Sequence, residues 1–347
     1  MSAATAPATA WTRSADGVAA AMSRHRLGFA VKVLGDGGLP SHDSRRWQSN
    51  PHLRVSLERL RRILDRLDEL DIRMYRMATA LVPYASHPDL PQFHSQIVEC
   101  RDELREIGAV ARERGIRLST HPGQYTVLNS EDDAVRAAAV AELEVQAAVL
   151  DAMAQPPEAV VVLHVGGAAG GLAAATERFA AGVSQLSDRA RARLVIENDD
   201  RSFALVDVLP LARRCGLPVV WDVLHHRCHD PARIPDDDAL ALALETWPPG
   251  VLPKVHYSSP RLDVTERTRR RGRRIERSVV LPQLRAHADL IDPIGFEYFL
   301  RQAAGGRDFD IMLEAKAKDL ALIRLREQLG GRGFGVEGGF VKVRAPG

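Results

Sequence analysis

LVIENDDRSFALVDVLPLARRCGLPVVWDVLHH, residues 194–226, holds the unit that decides the fold. A short apolar run, Leu194–Glu197, leads into a polar turn, then a helical stretch near 202–214, then a second apolar run, Val219–Leu224. Both runs are apolar throughout rather than alternating, the pattern of a strand buried on both faces of a parallel sheet. Each carries an acid at or near its C-terminal end, Glu197 in one and Asp222 in the other.

The unit recurs in both directions. The runs Leu27–Val33, Met74–Leu81, Arg117–His121, Val160–Val165, Lys254–Tyr257 and Ile311–Glu314 bring the strands to eight. Helical stretches near 53–70, 95–115, 132–153, 173–191, 236–246, 293–304 and 317–329 separate or follow them. Within 55–70, residues Leu57, Leu60, Ile63, Leu64, Leu67 and Leu70 share one stripe, as a helix packed outside a sheet requires. Eight such units predict an α/β fold, a single-domain (β/α)8 TIM barrel over 26–329. Flexible tails are expected at 1–25 and at the Gly-rich 330–347. Closure has a second support. His121, His164, Glu197, Asp222, His256 and Glu314 stand at or near strand ends. A barrel gathers all such ends at one mouth, whereas an open sheet concentrates its site at a switch point.

Composition bounds the class. With 347 residues, 45% hydrophobic and 27% charged, the chain is neither disordered nor a mini-protein needing staples. Cys100, Cys215 and Cys228 form no CxxC and are odd in number, which reads as reduced thiols in a cytosolic protein. No apolar run nears the roughly 20 residues of a membrane span, so no membrane partner is expected. The N-terminus lacks the charged-then-apolar order of a secretory signal and reads as a frayed tail rather than a transit peptide. A net charge of +2 advertises neither nucleic acid nor membrane. Its distribution is more telling. Residues 261–277 (RLDVTERTRRRGRRIER) hold eight arginines against three acids.

Five histidines and three acids belong to the strand ends or the loops just beyond them: His121, His164, His225, His256, His287, Glu197, Asp222 and Glu314. Singly, each reads as a hydrogen-bonded rim residue or a helix cap. Together on one mouth they would repel and stay poorly solvated without a counter-ion. Mixed His/Asp/Glu ligation suits zinc, manganese or iron more than calcium. One ion takes four to six ligands, so eight candidates imply two or three ions. Clustered metals suit phosphodiester hydrolysis, with sugar isomerisation as the chemical competitor.

HPGQYTVLNS (121–130), HVGG (164–167), ENDDRS (197–202), D-x-LHHRC (222–228), K-x-HYSS (254–259), HADLID (287–292) and DIMLEAKAKDLAL (310–322) together resemble the UV damage endonucleases. The resemblance runs from about residue 26 to 326, in the family's motif order. It implies a metal-dependent barrel related to endonuclease IV that incises damaged duplex DNA immediately 5′ to pyrimidine dimers and other distorting lesions. A 3′-hydroxyl and a 5′-phosphate remain. By the same resemblance the eight strand-end residues above are the metal ligands, Glu197 bridges, and manganese is favoured over zinc. Glu197, Lys254 and Glu314 are expected in catalysis, with no nucleotide cofactor and a monomeric protein.

Lys254 stands two residues before His256, on the same strand face. An ammonium beside metals is disfavoured, so a carbamylated Lys254 is expected, against the alternative of an ordinary cation facing a carboxylate or phosphate. Gln124 and Tyr125 are expected to enter the DNA stack at the lesion, where an aromatic face replaces lost stacking and an amide supplies hydrogen bonds. The alternative is a tight turn with a packed tyrosine. The arginine run, Arg269, Arg270 and Arg271 above all, is expected on a loop at the ligand face, where guanidiniums can clamp phosphates. The chain departs from the family's pattern at Phe29, Val33, Ala78 and Thr79, which removes hydrogen-bonding capacity near the site. A sugar isomerase and a non-catalytic damage-binding barrel are the competing readings.

Overall fold

The computed structural model describes residues 22–272, 274–302 and 306–344. Its strands are β1 (Met22–Ala30), β2 (Met74–Arg76), β3 (Arg117–Ser119), β4 (Val161–His164), β5 (Leu194–Glu197), β6 (Val219–Val220), β7 (Lys254–Tyr257), β8 (Thr265–Arg271), β9 (Arg274–Val280), β10 (Asp310–Leu313), β11 (Gly335–Glu337) and β12 (Phe340–Arg344). Parallel ladders join β7 to β10, β10 to β1, β1 to β2 and β2 to β3, and a second set joins β4, β5 and β6. Two single parallel bridges, Thr120 to Val161 and Asp222 to His256, link the sets and close the ring. The barrel order is therefore β1-β2-β3-β4-β5-β6-β7-β10, as the run pattern predicts.

The outer layer comprises α1 (Leu53–Glu69), α2 (Gln96–Glu99), α3 (Arg101–Glu113), α4 (Asp133–Ala152), α5 (Leu172–Ser184), α6 (Asp188–Arg193), α7 (Leu205–Cys215), α8 (Val223–Cys228), α9 (Asp236–Leu244), α10 (Pro293–Gln302) and α11 (Lys318–Gly331). In α1 the stripe Leu57, Leu60, Ile63, Leu64 and Leu67 is buried, while Leu70 caps the helix and is only partly covered. Helix α7 stops at Gly216, whose φ of +67° places it in the left-handed region where a side chain is disfavoured. The chain then enters β6. None of the described helices is long and apolar enough to cross a membrane.

Several sequence expectations change. The strand expected to run to Leu224 ends at Val220, because the Asp222 carboxylate accepts from the His225 backbone N–H (2.8 Å) and starts α8. The tail expected at 1–25 already belongs to β1 from Met22 onward, and His25 is buried there, donating from Nδ1 to the Phe309 carbonyl (2.8 Å). Residues 1–21 lie outside the described residues.

The Gly-rich tail expected at 330–347 is largely ordered structure. Helix α11 extends to Gly331, and β11 and β12 form a hairpin whose second strand pairs antiparallel with β1, from Met22–Arg344 to Arg26–Phe340. The reason is legible afterwards. Gly338 and Gly339 (φ +58° and +75°) form the two-residue turn, and Val341 and Val343 are buried. Residues 345–347, like Ala303 and Ala304 of the expected helix 293–304 and Gly305 after it, lie outside the described residues.

The arginine run is likewise a two-stranded ribbon, β8 paired with β9 from Thr265–Val280 to Arg271–Arg274, rather than a loop. Arg273 lies outside the described residues.

Candidate metal centre

The C-terminal ends of the barrel strands converge on Glu197, the last residue of β5, which is fully buried. One of its oxygens accepts from His121 Nε2 (3.0 Å) and lies 3.6 Å from His164 Nε2. The other accepts from His256 Nδ1 (2.9 Å) and lies 3.7 Å from His225 Nδ1. A single carboxylate thus stands between two pairs of imidazoles. Glu314, just past β10, continues the cluster: His256 Nδ1 is 3.4 Å away and His287 Nδ1 3.6 Å. Asp222 lies 3.8 Å from His225 Nδ1. All eight side chains singled out by sequence therefore meet in one contiguous group.

Three overlapping sets of donor atoms lie close enough to share a cation each: His121, His164 and Glu197; His121, His256 and Glu314; and Glu197, Asp222 and His225. The donor chemistry fits divalent ions. Asp222 Oδ2 is buried without a hydrogen-bond partner, and such an unmade bond costs about 1–3 kcal/mol. Burial also pushes Asp222 up to about 7 and His256 down to about 4. For His225, burial opposes the charge, but Asp222, Glu197 and Glu314 together raise it to about 9. A divalent cation selects the deprotonated form of every one of these ligands, which removes the conflict.

Lys254 is buried in the barrel interior, and its Nζ has no hydrogen-bond partner. Burial, with Arg117 and Arg76 nearby, holds its ammonium well below lysine's usual range. Glu197 and Glu314 act on it in the opposite direction, without outweighing burial.

Gln124 and Tyr125 occupy the tip of a turn after β3, closed by the Thr126 N–H donating to the Gly123 carbonyl (2.9 Å). Tyr125 is 84% exposed, so it is not the packed tyrosine of the alternative reading. The loop separates two cavities. One of about 530 Å³ reaches His121, His164, Arg76 and Glu314; the other, about 670 Å³, is lined by Tyr84, Ala139, Arg45 and Tyr125 itself. Arg269, Arg270 and Arg271 are far more exposed than the cluster and stand along β8. The base of their ribbon is tied to the site by an antiparallel bridge between Pro260 and the candidate ligand His287.

Two further residues, absent from the sequence-derived set, touch the cluster. Arg76, at the end of β2, donates to Glu314 and brings a cation to the cluster's edge. It obeys the same strand-end rule that identified the ligands, but a lone arginine carries no metal signal. Asn198 follows Glu197 directly. Its side chain donates to the Asp222 carbonyl (3.1 Å) and accepts from the Asp222 N–H (2.9 Å), and its carbonyl accepts from His225 Nδ1 (3.1 Å). His226, beside His225, points away and donates to the Ile234 carbonyl (2.8 Å). Of the four departures, Phe29 and Val33 are core residues, and Ala78 is buried. Thr79 is different: its hydroxyl donates to the His121 carbonyl (2.9 Å), so it keeps a hydrogen bond to the site rather than losing one.

The sequence profile of the UV-endonuclease UvdE family matches residues 50–334. A UV DNA damage endonuclease of Bacillus pumilus (strain SAFR-032) is 33% identical over 260 residues, 75% of this chain and 75% of that one. Its counterpart in Bacillus cereus (strain G9842) is 32% identical over 282 residues, 80% of this chain and 81% of the relative. Among solved structures, SacUVDE superposes with a TM-score of 0.72 at 27% identity, covering 89% of this chain and 99% of that one. A 3-keto-D-glucoside 4-epimerase from E. coli reaches 0.52 at 11% identity over 88% of this chain and 98% of its own, a likeness of fold alone.

Proposed function

The chain belongs to the UvdE family of UV endonucleases, and on that premise we propose a metal-dependent DNA-repair enzyme that incises damaged duplex 5′ to photoproducts and other distorting lesions. The products would be a 3′-hydroxyl and a 5′-phosphate. The observation that carries the reading is Glu197: one buried carboxylate facing His121 and His164 with one oxygen and His256 and His225 with the other. That is the placement a bridging ligand needs.

In this reading His121, His164, Glu197, Asp222, His225, His256, His287 and Glu314 hold two or three divalent ions, manganese foremost. Bound there, the ions would lower the pKa of an attacking water and stabilise the leaving alkoxide. The protein's own part is positioning. Asn198 fixes the backbone of Asp222 and the ring of His225. Arg76 orients Glu314 and adds positive charge where a phosphodiester would approach. Gln124 and Tyr125 would enter a weakened base stack, a role their exposure at the turn supports. The arginines of β8 face solvent, available to phosphates. We infer a monomer working in the bacterial cytoplasm without a nucleotide cofactor. A sugar isomerase would have no use for the exposed Gln124–Tyr125 turn or the arginine ribbon.

The decisive assay compares supercoiled plasmid with and without ultraviolet irradiation, in manganese and in chelator. Nicking confined to irradiated DNA and lost in chelator is the expected outcome. Manganese-dependent nicking of both plasmids alike, or no nicking with metal bound, would remove the reading.

Lys254 is proposed to be carbamylated. Its buried, unpartnered Nζ, two residues from His256, becomes an anion that can join the ligand set once it carries CO2. Intact mass measured after gentle purification in bicarbonate is expected to show one added CO2, absent from Lys254→Met. An unmodified mass under those conditions sinks the assignment.

A further inference from the structure

The ribbon formed by β8 and β9 has two chemically different faces. Alternation along the paired strands places Arg267, Arg269, Arg271 and Arg274 on one face with Thr265, Glu276, Ser278 and Val280. The opposite face carries Arg270 and Arg277 with Glu266, Thr268, Ile275 and Val279. The first face therefore has four guanidiniums against one carboxylate, and the second has two against one. Every residue of both strands is exposed. Among the described residues none of the first face's arginines forms an ion pair, and Arg271 pairs directly opposite Arg274.

An isolated two-stranded hairpin is marginal in water, and like charges directly opposite weaken it further. The arrangement makes sense with a polyanion against it. Seven residues per strand extend about 23 Å. Its root is fixed at the mouth: the Arg261 N–H donates to the Ala286 carbonyl (2.7 Å) and the Ala288 N–H to Ser259 (2.9 Å), on either side of His287. Alternate arginines on one face recur every ~6.8 Å, or about two base-pair rises.

We propose that the Arg267/Arg269/Arg271/Arg274 face of this ribbon docks along the phosphate backbone of intact duplex flanking the lesion, a clamp that reads neither sequence nor damage. This rests on the endonuclease reading for its partner, duplex DNA, and goes beyond it by dividing the arginine run. Arg269 and Arg271 contact phosphate, whereas Arg270 faces away.

The test uses the full-length protein and undamaged duplex in chelator, with binding followed by fluorescence anisotropy over a salt series. Each phosphate contact contributes about 0.9 to the slope of log affinity against log salt. Arg269→Gln/Arg271→Gln should flatten the slope by about 1.8, and the charge-matched Arg270→Gln/Arg277→Gln by less than half as much. Arg269→Lys/Arg271→Lys should keep most of the slope, and thermal melting shows whether each variant is folded. Equal flattening by both Gln pairs would mean net charge alone acts, and no flattening by the first would mean the face is unused; either overturns the proposal. Because chelator removes the metals, the slope is independent of incision. A protein that failed to nick irradiated plasmid yet showed the face difference would lose only its endonuclease reading.

Discussion

Glu197→Gln is expected to lower manganese-dependent incision of irradiated DNA by about 10³-fold, with the barrel intact and duplex binding retained. Glutamine matches the shape of the side chain, so the packing around this fully buried position persists. The charge does not. Glu197 is held well below the usual carboxylate range: burial opposes the anion, and His256, His164 and His121 outweigh it. An amide offers one acceptor oxygen, so it can serve only one of the two imidazole pairs, and its NH2 points a donor at the other. A ligand that has to face two ions would then face one. Loss of a single preorganised electrostatic group typically costs 10²–10³ in rate, and in the proposed role this one would serve two ions. Single-turnover nicking at saturating manganese measures the effect, with metal content and circular dichroism of the variant as controls. A rate within tenfold of wild type would show that Glu197 is not the bridging group.

Gln124→Ala/Tyr125→Ala addresses recognition rather than chemistry. Base–aromatic stacking is worth about 1–3 kcal/mol per base, and about 1.4 kcal/mol is tenfold, so the double variant should lose roughly 10- to 100-fold of its preference for damaged duplex. Both side chains are exposed, with Tyr125 at 84%, so no core contact is lost. The turn is held by backbone, Thr126 N–H to the Gly123 carbonyl, and survives truncation. The readout is the ratio of incision on lesion-bearing and undamaged duplex, together with the salt slope on undamaged DNA, which should stay unchanged. A ratio equal to wild type would remove Gln124 and Tyr125 from lesion recognition and leave them as ordinary turn residues.

Most of the candidate site was legible from spacing because barrel geometry turns strand ends into neighbours. His121, Glu197 and His256 lie far apart in sequence, yet each ends a run or sits two residues into a strand, and closure does the rest. Arg76 obeys the same rule, but one cation at a strand end has many uses and carries no signal of its own. By sequence Thr79 counts as a lost hydrogen-bonding group, but its partner is the His121 backbone, and no pattern of side chains foretells such a bond. The C-terminal hairpin is not legible in composition because glycine has two opposite uses. Gly338 and Gly339 supply positive φ to a tight turn, and composition alone takes them for slack.

From the sequence by itself came the alternation of apolar runs with amphipathic helices, the eight side chains of the cluster, and the family motifs. These are local or periodic properties: a strand buried on both faces must be apolar throughout, and an outer helix must carry one apolar stripe. Only the tertiary structure decided which oxygen of Glu197 faces which imidazole, that Arg76 joins Glu314, and that alternate arginines of one run look in opposite directions. Those facts depend on register and on contacts between residues tens to hundreds of positions apart. A run of arginines reads the same as a loop or as a ribbon until its strands pair, and pairing is what divides a +5 stretch into one strongly cationic face and one weaker one.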